Sequence, residues 1–182
     1  LLCAGVYNGY GQKKQPSDYH LQRAIDLIQN GDEKEAMKCL DQQLQETPDN
    51  ADARIVRADL YYRQKKYGNA LSDANLAIKY YKKGGMFSKY IMYWNRGRTY
   101  CDMEDSAKAL ADYDKAISMD PYYAPAYGNR AILHYQMNNM KDALADLNEA
   151  IRLNTRESGY YINRGLVRYQ LKDLRGAMAD YD

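Results

Sequence analysis

Residues 95–121 read NRGRTYCDMEDSAKALADYDKAISMDP, and the opening triplet Asn95, Arg96, Gly97 returns as Asn129, Arg130, Ala131 and again as Asn163, Arg164, Gly165. Both steps are 34 residues long, from 95 to 129 and from 129 to 163. Asn is a poor helix former and Arg is costly to bury, so a chain that repeats this pair inside helical sequence has a use for it. A fixed period of this size is the signature of stacked supersecondary units and is read before anything else.

Working outward from that stretch, the chain divides into units 17–50, 51–84, 90–123, 124–157 and an incomplete unit 158–182. The eighth place of each unit is small (Ala24, Ala58, Gly97, Ala131, Gly165), and the twentieth is Ala36, Ala70, Ala109, Ala143 and Ala177. Small residues at both places let two antiparallel helices approach closely, so each unit is expected to be a helical hairpin. The second helices carry apolar stripes at helical spacing, Leu110, Tyr113, Ala116 and Ile117 in the third unit and Leu144, Leu147, Ala150 and Ile151 in the fourth. Breakers stand where hairpins should turn or end: Gly31, Pro48, Pro121, and Gly84 with Gly85. The expected fold is all-α, a right-handed superhelical solenoid of antiparallel helix hairpins.

Residues 95–121 resemble the tetratricopeptide repeat, a helix–turn–helix family of 34-residue units with small residues at the eighth, twentieth and twenty-seventh places and Pro at the thirty-second. The resemblance covers residues 17–182. Three departures stand out. Gln43 replaces the Ala of the later units (Ala77, Ala116, Ala150), as expected of an end unit with a solvent-facing side. Five extra residues, GMFSK at 85–89, follow a unit with Lys82 in the Pro place, and are read as a longer second helix with an outward loop. The last unit leaves Leu174, Ala177, Met178 and Tyr181 uncovered, and the natural chain is expected to continue.

The seventh place is Arg throughout: Arg23, Arg57, Arg96, Arg130 and Arg164. The twenty-third, on the partner helix, is Asp73, Asp112, Asp146 and Asp180, with Cys39 in the first unit. A ladder of Arg–Asp pairs is expected, acting to fix register more than to add stability, with Arg23 seeking another partner.

The remaining chemistry narrows the function. Lys and Arg number 26 against 24 Asp and Glu, a net charge of +2 with no basic face, which argues against nucleic acid. Cys3, Cys39 and Cys101 form neither a metal spacing nor a disulfide framework. His20 and His134 lack acidic or cysteine partners at catalytic or metal spacing, and no hydrolase, zinc-protease or phosphate-loop motif occurs, so no enzyme, cofactor or metal site is expected. Most of the 20 tyrosines, among them Tyr100, Tyr113 and Tyr181, are read as hairpin-core residues. No apolar run reaches the length of a membrane span. Residues 1–16 are read as a disordered tail; LLCAGVYNGYGQ could be the remnant of a secretory signal peptide, placing a bacterial protein in the periplasm or outside the cell, and a plain tail on a cytoplasmic protein is the open alternative.

The leading expectation is a non-catalytic scaffold that binds an extended peptide or protein segment in the groove lined by the first helices. The alternatives are a regulatory or substrate-docking part of a larger enzyme, and an assembly subunit that self-associates through its uncovered C-terminal end. At the sixth place, Asn95, Asn129 and Asn163 lie too far inside the helix to cap it. A primary amide can both donate to and accept from a bound backbone, so these three are the expected ladder, with Trp94, Arg98, Tyr135 and Tyr169 as flanking specificity contacts. It resembles the asparagine ladder of the repeat domain in O-linked N-acetylglucosamine transferase, but Gln22 and Val56 hold that place in the first two units. The clamp for a C-terminal carboxylate found in chaperone-binding repeats is not matched, so an internal segment is expected.

Overall fold

The computed structural model describes residues 18–182, and the tail expected at 1–16 lies outside them. The described residues form ten helices: α1 (Tyr19–Gln29), α2 (Glu33–Glu46), α3 (Ala51–Arg63), α4 (Tyr67–Tyr80), α5 (Lys89–Asp102), α6 (Ser106–Met119), α7 (Ala124–Gln136), α8 (Met140–Leu153), α9 (Ser158–Gln170) and α10 (Leu174–Tyr181). The chain resolves into two compact units that divide within α5, between Thr99 and Tyr100. In the first unit α1 packs on α2 and α3 on α4, with α2 against α3. In the second, α7 packs on α8 and α9 on α10, with α6 against α7 and α8 against α9.

Small residues bring the helices of a hairpin together. Ala24, Ala36, Ala58, Ala70, Ala131 and Ala143 are fully buried, because side chains of methyl size let the backbones approach and leave no void to fill. The first unit's core adds Leu21, Leu40, Val56, Leu60 and Met92. The second unit's adds Leu147, Ile151, Tyr160 and Val167. Gly128 and Gly165 serve a different need. A Cβ on Gly128 would overlap the Tyr160 ring, and one on Gly165 the Tyr181 ring, so each glycine makes room for an aromatic side chain.

One cap closes all five first helices. The fifteenth place takes a left-handed backbone at Gly31, Lys65, Glu104, Asn138 and Lys172. Each donates its N–H to the carbonyl three residues back, and the next residue donates to the carbonyl five residues back, as in Lys65 to Tyr62 and Lys66 to Tyr61. This pair of bonds satisfies carbonyls that a helix end otherwise leaves open. The second helix then starts on Asp32, Asp105 or Asp173, whose carboxylates accept from the backbone N–H of Glu35, Lys108 and Gly176.

Two expectations are corrected. The residues 85–89 neither lengthen α4, which has 14 residues like α6 and α8, nor bulge outward. Phe87 is buried in the first unit's core, and the Asp52 carboxylate accepts from the N–H groups of Met86 at 2.7 Å and Phe87 at 3.0 Å. Burial of one aromatic ring outweighs the freedom of a short loop. Gln43 is completely buried rather than solvent-facing. It accepts from Leu21 N–H in the first turn of α1 and donates to the Thr47 hydroxyl, so a buried amide replaces a missing helix cap.

Candidate functional site

The recurrent arginine makes a three-helix clamp. Arg130 donates through Nε and Nη2 to Asp146, 16 residues ahead on its own hairpin, and through Nη1 to Asp114, 16 residues behind on α6. Arg57 does the same with Asp73 and Asp41. Arg164 holds Asp180 and Asn148. Arg96 reaches back to Asn75 at 2.7 Å, a step of 21 positions instead of 16 because five residues were inserted. The clamp contact thus survives the insertion. The Asp146 bonds lead in raising the Arg130 pKa above its ordinary value, and the Asp180 bonds do the same for Arg164.

The expected rungs Arg57–Asp73, Arg130–Asp146 and Arg164–Asp180 are therefore present. The rung from Arg96 to Asp112 would join the two compact units and stays an expectation. Arg23 is exposed and makes no ion pair among the described residues. A second recurring contact escaped the sequence reading. Tyr93, Tyr127 and Tyr161, at the fourth place, lie under the guanidinium of Arg96, Arg130 and Arg164 at 5.5 to 5.7 Å. The Tyr127 and Tyr161 hydroxyls also donate to the carbonyls of Pro121 and Thr155, tying the turn between hairpins to the next helix. Among the tyrosines assigned to the core, Tyr113 is buried, Tyr100 half-buried, and Tyr181 half exposed.

With arginine accounted for by the scaffold, the asparagines remain. Asn129 on α7 and Asn163 on α9 are both half-buried, and these two helices touch in the second unit. Residues on the same side at helical spacing are Ile132 and Tyr135 on α7, and Leu166 and Tyr169 on α9. Ile132, Leu166 and Tyr169 are exposed, while Tyr135 packs partly on the core. Ile132 and Leu166 were missed by the sequence reading, although both stand at the ninth place, three residues after an Asn.

Asn95, Trp94 and Arg98 belong to the first unit and are differently placed. Asn95 is buried at 4% exposure, with its Oδ1 lacking a hydrogen-bond partner. Trp94 is buried as well, rather than flanking an open groove. The Arg98 guanidinium lies over the rings of Tyr62 and Trp94 at 4.1 and 4.7 Å and pairs with Asp59, which also holds Arg63. Arg98 is thus engaged by its own unit.

His20 lies 3.4 Å from Glu46 and His134 lies 3.9 Å from Asp146, neighbours brought close by hairpin packing. Among the described residues no cluster of His, Cys, Asp and Glu could hold a metal ion. No described helix is long and apolar enough to cross a membrane.

Comparison with known proteins agrees with this architecture. No curated protein sequence matches the chain. Solved structures that do match include MamA, with 15% identity, a TM-score of 0.71 and coverage of 93% of this chain and 92% of that one. The pilF protein of Pseudomonas aeruginosa matches with 18% identity and a TM-score of 0.80, over 91% of this chain and 73% of that one. YrrB, described as a TPR protein with an unusual peptide-binding site, matches with 14% identity and a TM-score of 0.65, over 88% of this chain and 80% of that one. The tetratricopeptide repeat model matches residues 21–84, 94–158 and 129–182, and the chain belongs to that family.

Proposed function

We propose that the chain is a non-catalytic interaction module that holds an extended peptide or protein segment against the first-helix face carrying Asn129 and Asn163. Tetratricopeptide repeats are typically protein–protein interaction scaffolds, and YrrB, of the same fold, is described as having a peptide-binding site. The observation that carries the reading is the half-buried pair Asn129 and Asn163 beside exposed Ile132, Leu166 and Tyr169, with the neighbouring arginines already engaged by carboxylates. Amides held partly out of water bond a backbone without regard to its side chains. Selection of a binding peptide by display, followed by replacement of Asn129 and Asn163 with Ala, tests the reading. Affinity should fall with the fold intact; unchanged affinity would falsify it.

A second reading rests on α10, where Leu174, Met178 and Tyr181 are 50 to 67% exposed. Such an apolar face suits self-association. Sedimentation that is independent of concentration removes it. The proposal that the protein is exported rests on residues outside those described and is tested by N-terminal sequencing of the mature protein.

A further inference from the structure

We infer that the segment held by α7 and α9 is uncharged and adopts a polyproline-II conformation, with an apolar residue at every third position. The inference rests on the peptide-binding reading above and names its ligand class. Charge comes first. The ninth places of the first unit are Ile25, Asp59 and Arg98, the last two charged and paired with each other, whereas the second unit has Ile132 and Leu166, both exposed. The arginines beside them are already engaged: Arg130 by Asp146 and Asp114, Arg164 by Asp180, and Arg168 by Asp180 at 2.8 Å and the Gly176 carbonyl at 3.1 Å. An incoming carboxylate or ammonium would shed water and find these arginines and aspartates already paired with one another, whereas an aliphatic side chain on Ile132 or Leu166 loses only water it binds poorly.

Spacing supplies the conformation. Packed helices sit roughly 8 to 10 Å apart, so Ile132 and Leu166, one unit apart on touching helices, present equivalent contacts at about that interval. In a β-strand, residues three apart cover a similar distance but face opposite ways. A polyproline-II helix has three residues per turn and rises about 3.1 Å per residue, so residues three apart lie on one side at about 9 Å. Its backbone makes no internal hydrogen bonds and is open to amides at the same interval, which Asn129 and Asn163 provide. Tyr135 and Tyr169 add the aromatic walls that such segments use elsewhere.

The test is fluorescence anisotropy with labelled peptides of equal length. One repeats Leu-Pro-Ser, one alternates Leu and Ser as a strand would, and two replace each Leu of the first with Glu or Lys. The Leu-Pro-Ser repeat should bind at least about tenfold more tightly than the others. Changing Ile132 and Leu166 together to Ser should abolish that preference, and Leu166→Lys should shift it toward the Glu peptide. Both sites are exposed, and far-UV circular dichroism checks that the fold is kept. Equal or tighter binding of the strand-patterned or charged peptides, lost on replacing Asn129 and Asn163, would overturn this inference and leave the peptide-binding reading standing. Binding indifferent to all of these substitutions, or no binding while the displayed peptide still binds, would equally overturn it. A displayed peptide whose affinity ignores the asparagines removes the underlying reading instead.

Discussion

Arg130 makes bonds to two carboxylates on two helices, and its side chain keeps only 20% of its exposure, with Asp146 at 9%. Removing the arginine alone strands Asp146 in a poorly solvated place. Arg130→Met should therefore cost roughly 3 to 5 kcal/mol, while Arg130→Met with Asp146→Leu should cost distinctly less. Denaturant midpoints of the two single variants, the double variant and the wild type give the coupling; additive losses would show that the pair does not act as one unit. Asp52 is a different case, a carboxylate that accepts from two backbone N–H groups. Burial raises its pKa above the ordinary 3.8 despite the bonds from Met86 and Phe87. The folded state then holds the proton more tightly than the unfolded one, so this group's contribution to stability falls as pH rises from 3.8 through the raised value. Asp52→Asn should flatten that part of the curve, and it should lower stability at neutral pH because Met86 and Phe87 donate to different oxygens of Asp52, one of which becomes an NH₂ donor in Asn. Urea midpoints measured between about pH 4 and 7 check both effects. The Arg–Asp rungs could be read from one period because both residues lie in the same unit. The backward partner could not be read that way, although Asp41, Asn75, Asp114 and Asn148 repeat just as regularly, because it serves the arginine of the following hairpin.

Hairpin turns show how a local rule can be met by unfavoured residues. The left-handed cap takes Gly31 once, but Lys65, Glu104, Asn138 and Lys172 elsewhere. A side chain with a Cβ is strained there by about 1 to 2 kcal/mol. Glu104→Gly keeps the cap bonds of the Tyr100 and Cys101 carbonyls and removes the strain. It should raise stability by about 1 kcal/mol, less whatever Gly adds to the entropy of the unfolded chain. A fall in the thermal midpoint would mean that the Glu104 side chain supports the turn. The helix pattern itself was legible: small residues at fixed places and apolar stripes follow from chain periodicity. What was not legible was long-range. Lys82 in the Pro place removed a stop signal, so the sequence suggested a longer α4, but Phe87 entering the core and Asp52 gripping the loop fix the path. Gln43 misled for the same reason, since only the packed hairpin brings it to the Leu21 N–H.

Over the whole molecule, the period assigns the same places to every unit, but neighbours decide which of those places are available. In the first unit Asp59, Arg63, Arg98 and Tyr62 engage one another, and Trp94 and Asn95 are buried. In the second unit Asn129 and Asn163 stand beside exposed aliphatic side chains, and their arginine neighbours are already clamped. Sequence could place all seven candidate residues on first helices; it could not separate covered from open ones, because cover comes from side chains a full unit away. Recognition by the open asparagines is the central claim, and their side-chain amide resonances report on it directly. In a ¹H–¹⁵N correlation spectrum titrated with the displayed peptide, the NH₂ pairs of Asn129 and Asn163 should shift with the same dissociation constant as the complex, while those of Asn50 and Asn154 in the turns stay fixed. Shifts confined to α8 and α10, with Asn129 and Asn163 unmoved at saturation, would contradict the account.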